Sequence, residues 1–321
     1  MWPRAPEGQP SEGNCYDDPV TNSPLDPDPR DVLRTIGWEP SSPPARITGG
    51  WDTLLWRFER DGKPYALRLY RNDGPPAGLL AGADAEEAAM VAVRAGGLPA
   101  PRVEARGVFE DAPFFVLEWR PGERMLDLGQ KRPWRIGQLA RNFGRMQARL
   151  HAFPPPTTLR LYDESWLSRN VAHERLVRAV TADARYDAIC HLDYHPLNVL
   201  VRGTRMSGLL DFKGAAVSDR RADLAFTKTA LLAVPLPHDW KRPLLQRLRT
   251  FVAREWEAGY RQEAGHFPLT PAWEALGIWH YTREVESAVA DGRGWAKRED
   301  LAALHVYRDA RLNAAGLAAR G

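Results

Sequence analysis

The segment Cys190-His191-Leu192-Asp193-Tyr194-His195-Pro196-Leu197-Asn198-Val199-Leu200-Val201, followed by Gly208-Leu209-Leu210-Asp211-Phe212, brings two carboxylates and a carboxamide into one short stretch of chain. Apolar runs on either side read as two strands framing a polar loop that bears Asp193 and Asn198, and the second run ends on Asp211. Phosphoryl transfer needs such a set. One carboxylate orients the attacking hydroxyl and accepts its proton, while a second carboxylate and an amide oxygen hold Mg²⁺ against the phosphates. Mg²⁺ prefers hard oxygen ligands, so Asp, Asn, phosphate and water form a sensible shell. The same stretch carries a rival reading. His191, Asp193 and His195 alternate beside Cys190, as in the ligand set of a zinc-dependent hydrolase. Pro196 argues against a regular strand through these positions, no second histidine pair has ligand spacing, and zinc hydrolysis gives Asn198 and Asp211 no role.

The elements that must position this loop are legible around it. Residues 1–28 are rich in Pro, Asp, Asn, Gly and Ser and are expected to form a disordered tail, with a short helix near Asp31–Gly37. Trp51–Phe58 and Tyr65–Tyr70 flank Asp61-Gly62, a strong hairpin signal. An Ala-rich helix over Ala85–Ala95 stops at Gly96-Gly97, and strands are expected at Arg102–Phe109 and Pro113–Trp119. Beyond Pro121-Gly122 the pattern turns helical. Leu139, Phe143, Met146 and Leu150 keep a 3.6-residue period across Ile136–Phe153, which Pro154-Pro155-Pro156 ends. The expected architecture is α+β: a small antiparallel lobe with one packed helix, residues 29–119, and a larger, mainly helical lobe, residues 120–321.

The loop resembles that of the aminoglycoside phosphotransferase and choline kinase superfamily, relatives of the protein kinases. That pattern reads His-x-Asp-x-x-x-x-Asn, an apolar strand, then Asp and an aromatic, and His191, Asp193, Asn198, Asp211 and Phe212 match it. The resemblance implies a bilobal, protein-kinase-like fold that uses Mg²⁺ and ATP or GTP. It makes Asp193 the catalytic base, Asn198 and Asp211 the metal ligands, and His191 a brace for the loop. Leu192 departs from the pattern, since small-molecule kinases commonly have Gly there. Upstream, Ile47-Thr48-Gly49-Gly50-Trp51-Asp52-Thr53 resembles the phosphate-covering turn, with Gly49 and Gly50 admitting phosphate to backbone N–H groups. Arg68 occupies the position of the phosphate-binding Lys; its expected partner is Glu86, which shares a helix face with Met90 and Val93, with Glu87 as the alternative. Phe114–Gly122, with Glu118 and Trp119, resembles the hinge whose backbone binds the purine. His151 and Asp223 are expected to be structural, Asp223 as an anchor of the catalytic loop. Lys213 stands where relatives carry acidic or neutral residues and is left between the phosphates, the acceptor and solvent.

Composition narrows the partners. The 44 basic and 41 acidic side chains are evenly spread, and no basic block carries interleaved aromatics, so a nucleic-acid partner is not expected. No apolar run approaches a membrane span and no secretory pattern opens the chain, which points to the cytoplasm. After Asp211-Phe212 comes Lys213 rather than Gly, and no Ala-Pro-Glu follows, which favours a small-molecule acceptor over a protein. Trp256, Tyr260, Trp273, Trp279 and Tyr281, with Glu255, Glu257, Glu284 and Glu286, suit a cationic or sugar-like acceptor, although such a stripe also serves plain helix packing. A catalytically inactive nucleotide-binding module is the remaining alternative; the base, both metal ligands and the phosphate-binding cation are all present in the sequence.

Overall fold

The computed structural model describes residues 26–47, 53–71, 75–171, 173–233, 240–290 and 297–317. Gly49 and Gly50, and most of the expected N-terminal tail, lie outside the described residues.

The N-terminal lobe begins with helix α1 (Pro29–Arg34), where the Asp28 side chain caps the Arg30 amide at 2.9 Å. Asp26, placed in the tail by composition, lies 3.7 Å from Arg46 and 3.8 Å from Arg71. Strands β1 (Ala45–Ile47), β2 (Thr53–Arg60) and β3 (Lys63–Tyr70) follow; Asp61 and Gly62 turn the β2–β3 hairpin with φ of 52° and 70°, the twist-matched form that Asp-Gly allows. Helix α2 (Pro76–Ala95) starts nine residues before the expected Ala85, because Pro76 sits in its first turn, where the missing N–H costs nothing. It stops at Gly96-Gly97 as expected. Strands β4 (Val103–Phe109) and β5 (Ala112–Glu118) complete an antiparallel sheet of order β1-β2-β3-β5-β4. One face buries Leu54, Trp56, Phe58, Leu67 and Phe114 under Val32 and Leu33 of α1. The other carries Tyr70, Phe115 and Leu117 into a core shared with Met90 and Val93 of α2.

The chain crosses to the second lobe at Pro121-Gly122. There Arg120 donates to the Ser207 carbonyl at 3.0 and 2.8 Å, and Ser207 Oγ donates to the Pro121 carbonyl at 2.8 Å. Short strand β6 (Glu123–Arg124), helix α3 (Met125–Lys131) and helix α4 (Ile136–Leu150) come next. Helices α5 (Glu164–Asn170) and α6 (Glu174–Thr181) lead to β7 (Ala188–Cys190). The hairpin β8 (Val199–Arg202) and β9 (Arg205–Leu209) pairs with β6, and β10 (Ala216–Ser218) pairs with β7. Helices α7 (Arg220–Ala233), α8 (Arg242–Ala264), α9 (Pro271–Ala290) and α10 (Arg298–Ala314) finish the lobe. Among the described residues no helix is long and apolar enough to cross a membrane.

Helices α4 and α8 form the axis of this lobe. A Cβ on Gly144 would stand 2.1 Å from the Trp256 carbonyl oxygen, and one on Gly259 would stand 2.0 Å from that of Arg141. Two backbones therefore touch where two glycines face each other. Gly144→Ala should destabilise the fold by about 1–3 kcal/mol through overpacking. Gly82→Ala, in α2 with nothing near the added methyl, should stabilise it by about 0.5–1 kcal/mol. Urea unfolding of both variants tests the contrast, and an unchanged Gly144→Ala midpoint would contradict the close approach.

Candidate active site

The loop between β7 and β8 is fastened from beneath by one buried carboxylate. Asp223, in the first turn of α7, is fully buried. Its Oδ2 accepts from Gln147 Nε2 at 2.8 Å and pairs with His151 Nε2 at 2.9 Å, and its Oδ1 accepts from the Leu192 amide at 2.5 Å. His151 Nδ1 lies 2.9 Å from the Tyr260 hydroxyl, so Nε2–H faces the carboxylate while Nδ1 accepts. Burial opposes the charge on Asp223, but the hydrogen bonds from His151 and Gln147 outweigh it and hold the pKa below the ordinary aspartate value. Both residues thus play the structural part expected of them.

Leu192 itself has φ of 61°, in the left-handed region. The backbone turns there into a conformation where a side chain costs roughly 1–2 kcal/mol. His191 is buried and donates from Nε2 to the Leu210 carbonyl at 2.9 Å, with its ring 4.9 Å from that of Phe212. It ties the loop to the strand end that carries Asp211. The alternating His191, Asp193 and His195 are not brought together as ligands, and among the described residues no group of three His, Cys, Asp or Glu is disposed to hold a metal. The zinc reading has no geometric support.

Above this base the reactive groups converge. The Asp193 side chain is about half exposed; its Oδ2 accepts from Asn198 Nδ2 at 2.9 Å, and its Oδ1 lies 3.1 Å from His195 Nε2. His195 Nδ1 accepts from the Leu197 amide at 3.3 Å, which puts the ring proton on Nε2, facing Asp193. Burial works against the Asp193 charge, yet His195 overcomes it and lowers the pKa. The Asn198 carbonyl accepts from the Leu210 amide at 2.9 Å, which seats Asn198 beside Asp211. Asp211 has φ of 62° and a half-exposed carboxylate.

From the other lobe Arg68, only 7% exposed, reaches this carboxylate: Nη1 lies 3.7 Å from Asp211 Oδ1. Its Nη2 pairs with Glu86 and lies 3.4 Å from the Tyr70 hydroxyl, which also donates to Glu86. Burial disfavours the Arg68 cation, but Glu86 and then Asp211 more than compensate, and its pKa rises. Burial and Glu86 also raise the Tyr70 phenol, which therefore stays a donor. Glu87 pairs instead with Arg106 at 2.7 Å, so the choice between the two glutamates falls to Glu86. Tyr70 was not singled out from sequence; its i+2 spacing from Arg68, hence the same strand face, was the available signal.

The hinge residues lie at the lobe crossing. Glu118 binds Arg94 at 2.8 Å, Arg120 at 3.0 Å and the Arg102 amide at 3.2 Å, and its own amide donates to the Arg102 carbonyl. The Trp119 ring lies 5.2 Å from the Arg57 guanidinium. In the C-terminal helices, Trp256, Tyr260 and Trp273 are core residues rather than cleft residues: Trp256 Nε1 donates to Gln147 Oε1 at 2.8 Å, and Tyr260 serves His151. Glu255 pairs with Arg141, Glu257 with Lys228 and Glu284 with His280. Trp279 and Glu286 line a cleft of about 490 Å³ with Ser168, Arg169, Arg283 and Arg308, where arginines outnumber the carboxylate.

A family model described as the phosphotransferase enzyme family matches residues 45–266, from the first strand to just past α8. No curated protein sequence matches the chain. Among solved structures, a thermostable mutant of aminoglycoside phosphotransferase APH(4)-Ia, in ternary complex with ADP and hygromycin B, is 14% identical with a TM-score of 0.59, over 91% of this chain and 98% of that one. Macrolide 2′-phosphotransferase MphH from Brachybacterium faecium is 18% identical with a TM-score of 0.51, over 88% and 97%. Spectinomycin phosphotransferase APH(9)-Ia, in complex with ADP and spectinomycin, is 12% identical with a TM-score of 0.52, over 89% and 94%. At these identities the likeness is one of fold.

The Asp223 anchor yields a stability test. Asp223→Ala should cost about 3–5 kcal/mol, because it strands His151, Gln147 and the Leu192 amide. Since the folded-state pKa is depressed, the carboxylate stabilises the fold above the ordinary aspartate value, and that contribution is lost as pH falls through the folded value. Denaturant unfolding at neutral and acid pH should therefore show the gap between wild type and variant shrinking toward low pH. A gap that is constant with pH would reject the linkage.

Proposed function

The chain belongs to the phosphotransferase enzyme family, and from that premise we propose that it transfers the terminal phosphoryl group of ATP or GTP, carried with Mg²⁺, to a hydroxyl of a small molecule. The observation that carries this reading is the convergence across the lobe boundary of Asp193, Asn198 and Asp211 with Arg68, 3.7 Å from Asp211. Two of the relatives in fold were solved with ADP, which supports a nucleotide in the corresponding cleft of this chain.

The residues fit a magnesium ion. Asn198 donates its side-chain Nδ2 to Asp193, which leaves the side-chain Oδ1 as its metal-binding atom, and Asp211 offers a half-exposed carboxylate. Asn198 and Asp211 would hold the ion, which when bound supplies neutralisation of the phosphate charge. Arg68, fixed by Glu86 and Tyr70, adds a cation to the phosphates from the N-terminal lobe. Asp193 orients the acceptor hydroxyl and takes its proton as the oxygen attacks the terminal phosphorus and the bond to the leaving diphosphate breaks. Asn198 and His195 hold both oxygens of Asp193, which fixes the direction in which it accepts. Positioning of this kind speaks against an inactive module.

Two of the relatives in fold were solved with hygromycin B or spectinomycin, which supports a small molecule as the acceptor.

A coupled nucleotide-turnover screen over aminoglycosides, macrolides, amino alcohols and sugars identifies the acceptor. With it, Asp193→Asn should lower turnover by about 10²–10⁴-fold, the usual contribution of a general base. Mg-nucleotide affinity should stay near wild type, whereas Asp211→Asn should weaken it. Full turnover by Asp193→Asn would remove that residue from the role of base.

A further inference from the structure

Lys213 lies two residues beyond Asp211, in the turn that leads into β10, and the chemistry above gives it no task. Its ammonium stands 5.6 Å from the centre of the Tyr70 ring. The guanidinium carbon of Arg68 stands 5.4 Å from that same centre. One aromatic ring therefore carries two cations, one from each lobe, and its hydroxyl is bonded to the glutamate that holds Arg68.

The root of Lys213 is fixed on both sides. Arg160 donates from Nη2 to the Lys213 carbonyl and from Nε to the Ala215 carbonyl at 3.2 Å. The next residue, Gly214, is pressed so closely on the His191 carbonyl that an added Cβ would stand 3.0 Å from it. The turn is thus tied to the base of the catalytic loop and does not swing as a surface loop would. Beyond that root the lysine is a flexible four-carbon stem, which starts two residues from Asp211.

Charge balance says what that stem is for. Asp193 and Asp211 bring two half-exposed carboxylates to the cleft, and Arg68 is shared between Asp211 and the buried Glu86. A nucleoside triphosphate adds negative charge that one divalent cation offsets only in part. We propose that Lys213 is a second phosphate-contacting cation: its ammonium binds the triphosphate tail from the C-terminal lobe, opposite Arg68, with the Tyr70 ring as the spacer between them. The ammonium stands over that ring, from which the phosphates would draw it. The inference rests on the phosphoryl-transfer reading and extends it to a residue that the metal-ligand pattern leaves out.

The test is nucleotide binding rather than turnover. Affinities for MgATP, MgGTP and AMP are measured by calorimetry on wild type, Lys213→Met and Lys213→Arg, with melting temperatures as the control for folding. For whichever triphosphate the wild type binds, Lys213→Met should lose about tenfold, the effect of one charge-assisted contact. AMP affinity should be unchanged, and Lys213→Arg should restore most of the loss. Equal triphosphate affinity in wild type and Lys213→Met overturns the proposal, and so does an equal loss for AMP. An effect confined to the KM of the acceptor moves Lys213 to the other side of the cleft and overturns it too. If the wild type binds neither triphosphate, it is the phosphoryl-transfer reading that falls.

Discussion

A single buried carboxylate, Asp223, gathers the helices and the loop on which the chemistry depends. It accepts hydrogen bonds from α4 through Gln147, from the end of the same helix through His151, and from the loop backbone at Leu192. The two side-chain donors are themselves held by α8, since Trp256 donates to Gln147 and Tyr260 meets His151. An unpaired carboxylate at this depth would cost several kcal/mol, so the partners are arranged to leave no vacancy on it. The close approach of α4 and α8 at Gly144 and Gly259 brings those donors within reach. The two glycines and the carboxylate therefore form one device, in which packing sets the distance and hydrogen bonding sets the register.

The second constraint couples the lobes. Arg68 and Tyr70 sit two residues apart on β3 and so point to one face, where Glu86 of α2 binds both. Arg68 still reaches Asp211 across the boundary, which makes its charge common to both lobes. Water screens the Arg68–Glu86 pair little, because both groups are almost fully buried, whereas the half-exposed Asp211 is screened more. The Glu86 pair also fixes α2 against the sheet, so the helix and the segment bearing Asp211 meet at the same cation.

The pattern of the loop was readable because phosphoryl transfer requires particular side chains at particular intervals, and intervals survive in a sequence. His191, Asp193, Asn198 and Asp211 fall together as their spacing suggested, and the hairpin at Asp61-Gly62 followed from turn chemistry alone. Long-range pairing was less legible. Glu86 and Glu87 are neighbours in the chain, and only the packed orientation of α2 decides that one meets Arg68 and the other Arg106. Trp256, Tyr260 and Trp273 left a ligand surface and plain helix packing both open, and they are buried by packing; an aromatic at helical spacing reads the same whether it faces a ligand or another helix. The early start of α2 was hidden by Pro76, which breaks a helix in its interior but opens one in its first turn.

Backbone strain occurs at the candidate site as well as in the hairpin turns. Leu192 and Asp211 are both non-glycine residues with positive φ, one directly before the candidate base and the other a candidate metal ligand. Each conformation costs on the order of 1–2 kcal/mol and persists only where neighbours over-determine it. For Leu192 the neighbour is Asp223, which takes its amide; for Asp211 it is the segment before it, where His191 binds the Leu210 carbonyl and Asn198 binds the Leu210 amide. The loop and the strand end are thus bent toward each other by hydrogen bonds drawn from the buried floor of the site. A freely jointed loop would have to find that arrangement each time a nucleotide arrived. Here the helical lobe meets the cost in its own folding, and hydrogen bonds from its buried floor hold the two bent segments in place.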